Sequence, residues 1–344
     1  MEIGIDSFAA FLPETENRAF VPASERMEAL LSEVETADRV GLDAFGVGEH
    51  HRAEFLDAAP AVILAAAAAR TKTIRLNSAV TVLSAADPVR VFQDFATIDL
   101  ISKGRVEIVA GRGSFGEAYP LFGFAREDYD ALFAEKLGLL MKLREETHVT
   151  WSGKFRPALT GQGVYPRPVQ AKLPIWLGVG GTPNSFVRAG VLGLPLMIAI
   201  IGGSFDRFRP LVDMYYEAGR RAGHGPDLLK IAIHAMGFVG ETDEIARDAF
   251  YSGWARVMTE IGRERGFPPA SRAQFNELCG PHGAFLVGSP QTVRDKMIAA
   301  NHVMGGISRI TFQMSTAMLE TEQMQRSITL LGTEVAPEVR AALG

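Results

Sequence analysis

The chain has 344 residues, 47% of them hydrophobic and 22% charged, with a formal net charge of −5; it is long enough for a sizeable core that needs neither disulfides nor a structural metal. The charge is mildly acidic and no run of lysines and arginines occurs, which argues against a nucleic-acid or membrane-surface partner. A single cysteine, Cys279, cannot close an internal disulfide and excludes a cysteine-rich zinc or iron–sulfur site, which fits a reducing, cytoplasmic setting.

From the N-terminus onward, Met1 to Asp6 reads as a strand rather than a signal peptide, because no basic region precedes an apolar run. Apolar runs of strand length then alternate with helix-period segments to the end of the chain, the rhythm of an α/β fold with buried parallel strands. Strands are expected near residues 2–8, 42–48, 74–82, 106–111, 174–180, 195–201, 230–239 and 308–314. Eight of them point to a (β/α)8 TIM barrel with insertions at its C-terminal face, a fold that commonly runs beyond about 250 residues, so one domain over 1–344 is expected.

Between the strands, Ser24 is expected to open a helix with Met27, Leu30, Leu31, Val34 and Ala37 on one face, ended by Gly41. Ala58 to Ala69 is the longest apolar stretch, too short and alanine-rich to span a bilayer. Asp87-Pro88, Thr182-Pro183 and Ser289-Pro290 each read as a cap followed by proline at the first helical position. Residues 147–173, with Pro157, Pro166 and Pro168, and 265–290, with Pro268, Pro269 and Pro281, break the rhythm and are expected to be long loops inserted around a site.

Three segments at strand ends carry candidate chemistry. Gly46-Val47-Gly48-Glu49-His50-His51 ends the second strand, where barrel residues face the active site and an imidazole can move protons near neutral pH; the plainer reading is histidines that merely satisfy loop backbone groups. A zinc pair is disfavoured, since adjacent strand residues point to opposite faces and no other histidine cluster completes a site. Gly111-Arg112-Gly113-Ser114-Phe115-Gly116 ends the fourth strand. It matches the dinucleotide fingerprint only formally, because Tyr119-Pro120 interrupts the helix that should follow; an arginine between glycines instead indicates a guanidinium near an anion with room for a flat ligand, or simply a tight turn. Gly180-Gly181-Thr182-Pro183 leads the fifth strand into a helix whose N-terminus suits a mononucleotide phosphate, or is a capped helix without a ligand.

With these segments in hand, the chain resembles the bacterial-luciferase-like family of flavin-dependent monooxygenases over nearly its whole length. The resemblance rests on Glu49-His50-His51, on Asn77 to Leu83 followed by Asp87-Pro88-Val89-Arg90, on Ile101 to Arg105 leading to Gly111-Arg112-Gly113, and on Gly288-Ser289-Pro290. It implies a barrel that receives reduced FMN, from an NAD(P)H-dependent flavin reductase, and adds O2 to make a flavin peroxide that oxygenates a small organic substrate. By the same resemblance His50 is catalytic with Glu49 and His51 around it. Ala79 and Val80 lie beside the isoalloxazine across a cis peptide, and Arg112 with Gly180, Gly181 and Thr182 approaches the phosphate. A homodimer is implied as well, with the Ala58–Ala69 helix able to pack between subunits or equally to be covered within one chain. Luciferase has a cysteine where this chain has Gly111, so light emission is not implied. The competing readings are a deazaflavin-dependent hydride-transfer enzyme on the same barrel, a flavin-binding protein without turnover, and a metal-dependent barrel hydrolase.

Overall fold

A computed structural model describes residues 1–11, 21–113, 115–264, 266 and 268–344. Its strands are β1 (Glu2–Ser7), β2 (Ala44–Val47), β3 (Arg75–Ser78), β4 (Thr81–Val82), β5 (Val106–Gly111), β6 (His148–Trp151), β7 (Leu159–Gly163), β8 (Ile175–Val179), β9 (Leu196–Ile200), β10 (Ile231–Val239), β11 (Leu286–Gly288) and β12 (Arg309–Gln313). The helices are α1 (Ala23–Arg39), α2 (Pro60–Arg70), α3 (Pro88–Ser102), α4 (Ala118–Leu121), α5 (Tyr129–Glu145), α6 (Pro183–Leu192), α7 (Arg209–Arg221), α8 (Asp243–Glu264), α9 (Arg272–Cys279), α10 (Pro290–Met304), α11 (Thr321–Leu330) and α12 (Ala336–Leu343).

β1, β2, β3, β5, β8, β9, β10 and β12 pair in parallel in that order, and β12 pairs back onto β1, closing the (β/α)8 barrel. Side-chain alternation separates its two faces. Ile108, Ala110, Ile175, Leu177, Leu196, Ile198, Ile231 and Ile233 join the large core between strands and helices. The intervening Val109, Trp176, Met197 and Ala232 form a separate apolar cluster inside the barrel. Below that cluster, the fully buried Arg309 donates to both oxygens of Glu107, at 2.7 and 3.2 Å, and to Glu2 at 2.7 Å, and its guanidinium lies 5.0 Å from the Trp176 ring centroid.

All eight expected strands are present, but the stretch 74–82 is divided into β3 and β4 around a cis peptide between Ala79 and Val80. The helix starts differ in detail. Asp87 accepts from the Val89 amide at 2.8 Å and Ser289 from the Thr292 amide at 3.4 Å, whereas the Thr182 side chain makes no cap bond. α1 begins at Ala23 behind Pro22, so Ser24 lies inside the helix.

Both expected long loops carry regular elements. Residues 147–173 hold the antiparallel pair β6–β7, packed along α5. Its turn is tied by the backbone amides of Lys154 and Phe155 to Glu135, and by Arg156 to Asp87 at the start of α3. Residues 265–290 contain α9 and β11, and β11 extends the sheet beside the end of β10. α8, α9 and β11 share an aromatic cluster built on Phe250, Trp254, Phe275 and Phe285.

We propose that residues 1–344 fold as one unit, since the ring closes only when β1 meets β12. A protease cut in the β6–β7 turn should leave a nicked molecule that elutes as one particle with its circular dichroism intact. Two separately folded fragments would overturn the assignment.

Candidate active site

The chain leaves β2 through Gly48 and Glu49 and places His50 at the barrel mouth, 8% exposed. Its Nδ1 lies 2.9 Å from Oδ2 of Asp57, and its backbone amide donates to Oδ1 of the same carboxylate at 3.1 Å. Asp57 is fully buried; burial pushes its carboxyl up, and the His50 hydrogen bond opposes that rise. With the carboxylate accepting from Nδ1–H, the outer nitrogen, Nε2, is the one left for chemistry, and it has no hydrogen-bond partner among the described residues. Phe8, Phe55 and Phe115 surround the ring with centroids at 4.6, 4.6 and 5.6 Å.

His51 turns the other way. Its Nε2 lies 3.2 Å from Oε1 of Glu49, whose Oε2 accepts from the Val82 amide at 2.8 Å, and its ring meets Phe122 edge-on at 5.0 Å. Glu49 thus holds His51 and β4 together, while the carboxylate that orients His50 is Asp57.

Across the mouth, Ala79 and Val80 are half-buried. A Cβ on Gly111 or Gly178 would collide with the Val80 side chain, so these glycines make room for Val80. Gly113 has φ +77°, a conformation that favours glycine, and Ser114 lies outside the described residues.

Arg112 and the Gly180–Thr182 turn are neighbours. The guanidinium donates to Asp130 Oδ1 at 2.6 Å and to Ser185 Oγ, in the first turn of α6, at 3.1 Å, and lies 5.1 Å from the Tyr129 ring centroid. The Tyr119 hydroxyl donates to the Arg112 carbonyl at 2.9 Å. A Cβ at Gly180 or Gly181 would meet nothing within 4 Å, so open space adjoins the α6 N-terminus and the arginine. A cleft of about 560 Å³ opens alongside, lined by Gly113, Phe115, Tyr119, Arg126, Glu127 and Tyr129.

The sequence reading passed over Asp57, Phe8 and, inside the barrel, the Asp6–His234 pair, whose Oδ2 and Nδ1 are 2.6 Å apart. Among the described residues no group of three or more His, Cys, Asp or Glu side chains is placed to hold a metal ion.

The relatives of this chain make it a barrel oxidoreductase of monooxygenase type. Residues 7–306 match the family model of luciferase-like monooxygenases, and the chain belongs to that family. It is 27% identical over 328 residues to 4-hydroxyprotoasukamycin monooxygenase of Streptomyces nodosus subsp. asukaensis, covering 90% of this chain and 86% of that one. The fold matches the oxygenating constituent of 3,6-diketocamphane monooxygenase from Pseudomonas putida, solved in complex with FMN, at a TM-score of 0.78 and 21% identity over 98% of both chains. It also matches an F420-dependent secondary alcohol dehydrogenase at a TM-score of 0.76 and 19% identity, over 98% of this chain and 99% of that one.

The hydrogen bond that His51 Nε2 donates to the Glu49 carboxylate raises the pKa of His51 above the ordinary histidine value, against an opposing effect of burial. A raised folded value stabilises the protein fully below the unfolded pKa, about 6.5, and the contribution fades as pH rises through the folded value. Glu49→Gln should therefore bring the His51 titration down in NMR. It should cost more stability near pH 6 than at pH 8, and an equal loss at both would show that Glu49 acts only through the Val82 amide.

Proposed function

We propose that this protein is a cytoplasmic FMN-dependent monooxygenase that receives reduced FMN from an NAD(P)H-dependent flavin reductase and oxygenates a small organic substrate. The observation that carries the reading is the convergence on one barrel mouth of an Asp57-oriented His50 and the cradle of Arg112, Ser185 and the Gly180–Thr182 turn.

The residues fit the cofactor. Arg112 and the N–H groups that open α6 would hold the phosphate, with the Thr182 hydroxyl free of any capping role. The half-buried Ala79–Val80 peptide, backed by Gly111 and Gly178, offers a flat wall for the ring system. When bound, reduced FMN supplies the two electrons that activate O2, one oxygen atom going to the substrate and the other leaving as water. Phe8, Phe55 and Phe115 keep water from the His50 ring, and Nε2 of that ring donates or accepts the proton while Asp57 holds Nδ1–H in place.

The same fold serves an F420-dependent enzyme, so a deazaflavin hydride-transfer role is the alternative. Binding of the two flavins, measured side by side, separates the readings: an FMN monooxygenase binds FMN and consumes O2 when FMN is reduced, whereas the alternative binds only the deazaflavin.

A homodimer belongs to the proposal. α2 buries Ile63, Leu64, Ala67 and Ala68 inward and leaves Val62 70% exposed beside the small Ala65, Ala66 and Ala69. Such a face can approach its own copy closely. Light scattering should give twice the chain mass, and Val62→Glu should shift it to the monomer.

Two variants test the site. Arg112→Ala should weaken FMN binding by about 1.5–3 kcal/mol, roughly 10- to 150-fold, and leave riboflavin nearly unaffected. His50→Ala should keep FMN affinity and lower oxygenation by roughly 10²–10⁴-fold. Equal losses of FMN and riboflavin in the first variant, or full activity in the second, would remove the corresponding role.

A further inference from the structure

Inside the barrel a second histidine repeats the arrangement of His50. His234, on β10, is 6% exposed, and its Nδ1 lies 2.6 Å from Oδ2 of Asp6 on β1. The same oxygen accepts from the Thr311 hydroxyl on β12. Nε2 of His234 has no hydrogen-bond partner among the described residues. The Phe8 ring links the two histidines, near parallel to His234 at 5.7 Å and 17°, and tilted against His50 at 4.6 Å. Each imidazole is therefore anchored through Nδ1 to a fully buried carboxylate, and each leaves Nε2 unused.

The plain alternative is a bolt that joins β10, β1 and β12. A bolt needs every buried polar atom paired, because an unsatisfied one costs about 1–3 kcal/mol. Here Asp6 Oδ1 is buried without a partner, as is Asn77 Oδ1 on β3. A Cβ on Gly46, between those two strands, would collide with both side chains. The arrangement leaves polar capacity unspent at the barrel axis, just below the mouth.

We propose that His234, oriented by Asp6 and Thr311, is a second proton-transfer group of the same chamber, packed like His50 against the Phe8 ring. The inference rests on the monooxygenase reading. Release of one oxygen atom of O2 as water takes two electrons from reduced FMN and two protons. His50 and His234 each deliver one proton from Nε2 and are each reprotonated as the reduced flavin gives up its two hydrogens. The carboxylates of Asp57 and Asp6 keep Nδ1–H throughout, so neither ring turns over.

Titratable and charged groups surround His234 on several elements. They are Asp6 on β1, His50 with Asp57 after β2, and, one inward position below Thr311 on β12, Arg309 with Glu2 and Glu107. β9 contributes only Leu196–Ile200, which has no titratable side chain.

The decisive variant is His234→Asn, whose amide nitrogen can stand where Nδ1 stands and keep the bond to Asp6 while removing Nε2. A bolt would survive this change with the wild-type rate and pH profile. A proton-transfer group would not: the melting temperature should hold while the oxidation of bound reduced FMN by O2 slows roughly 10²-fold and loses one limb of its pH profile. A readout independent of turnover is NMR of histidine-labelled wild-type protein titrated with oxidised FMN, in which the His234 and His50 ring signals should both move. Binding of FMN with the His234 signal unmoved, or an unchanged pH profile in His234→Asn, overturns the inference alone. Failure of the wild type to bind FMN overturns the proposed function, and this inference with it.

Discussion

The guanidinium of Arg309 is the constraint on which the rest of the barrel depends. It is fully buried and joins the last strand, β12, to β5 through Glu107 and to β1 through Glu2. A buried charge is tolerated only when paired and hydrogen-bonded, and removal of one partner typically costs about 3–5 kcal/mol. Although burial favours the neutral acid, the attraction of Arg309 wins and holds the Glu107 carboxyl below its usual range. The pairing fixes register, and register fixes everything above it. With β1 and β12 locked at Glu2 and Arg309, the period-two alternation carries Asp6 and Thr311 to the inside two steps and one step further up. A slip of one residue would turn both toward the helices and dismantle the His234 cluster.

The mouth is shaped as much by missing side chains as by present ones. Gly46 lets Asp6 and Asn77 approach the axis, and Gly111 with Gly178 lets Val80 fold back against the wall. Val80 in turn covers Val109, Trp176 and Met197, so the apolar filling of the barrel ends just beneath the Ala79–Val80 peptide. Polar groups take over from there: Asn77, His234 and Thr311 inside, and Glu49, His50 and Arg112 at the rim. The boundary sets an apolar floor beneath a polar edge.

The strands were legible because buried parallel strands write themselves as apolar runs, as in Ile231 to Val239, where every residue is buried. The β6–β7 pair escaped because it lies outside the barrel and Leu159–Gly163 is largely exposed, leaving no such run. β11 escaped because three residues between prolines carry no period. His50 was legible from its place at a strand end. Its partner Asp57 was not, although it is only seven residues away, because the segment between them is a loop with no repeating geometry. Asp6 and His234 are separated by 228 residues, and only ring closure makes them neighbours. At Gly111 the sequence showed that a side chain had to be absent without showing that Val80 would use the room.

The two polar ends of the site, Arg112 and His50, are held differently, and the difference bears on what each can do. The partner of Arg112, Asp130, is 54% exposed and can exchange its hold for water, so the two form a weak surface pair. The partner of His50, Asp57, is fully buried and takes both the ring and the backbone amide, so the imidazole has no alternative orientation. An exchangeable counter-ion suits a group that arrives and departs each cycle, as the proposed reduced flavin would. A fixed one suits a proton carrier, whose usefulness depends on Nε2 being in place before the reacting atoms arrive.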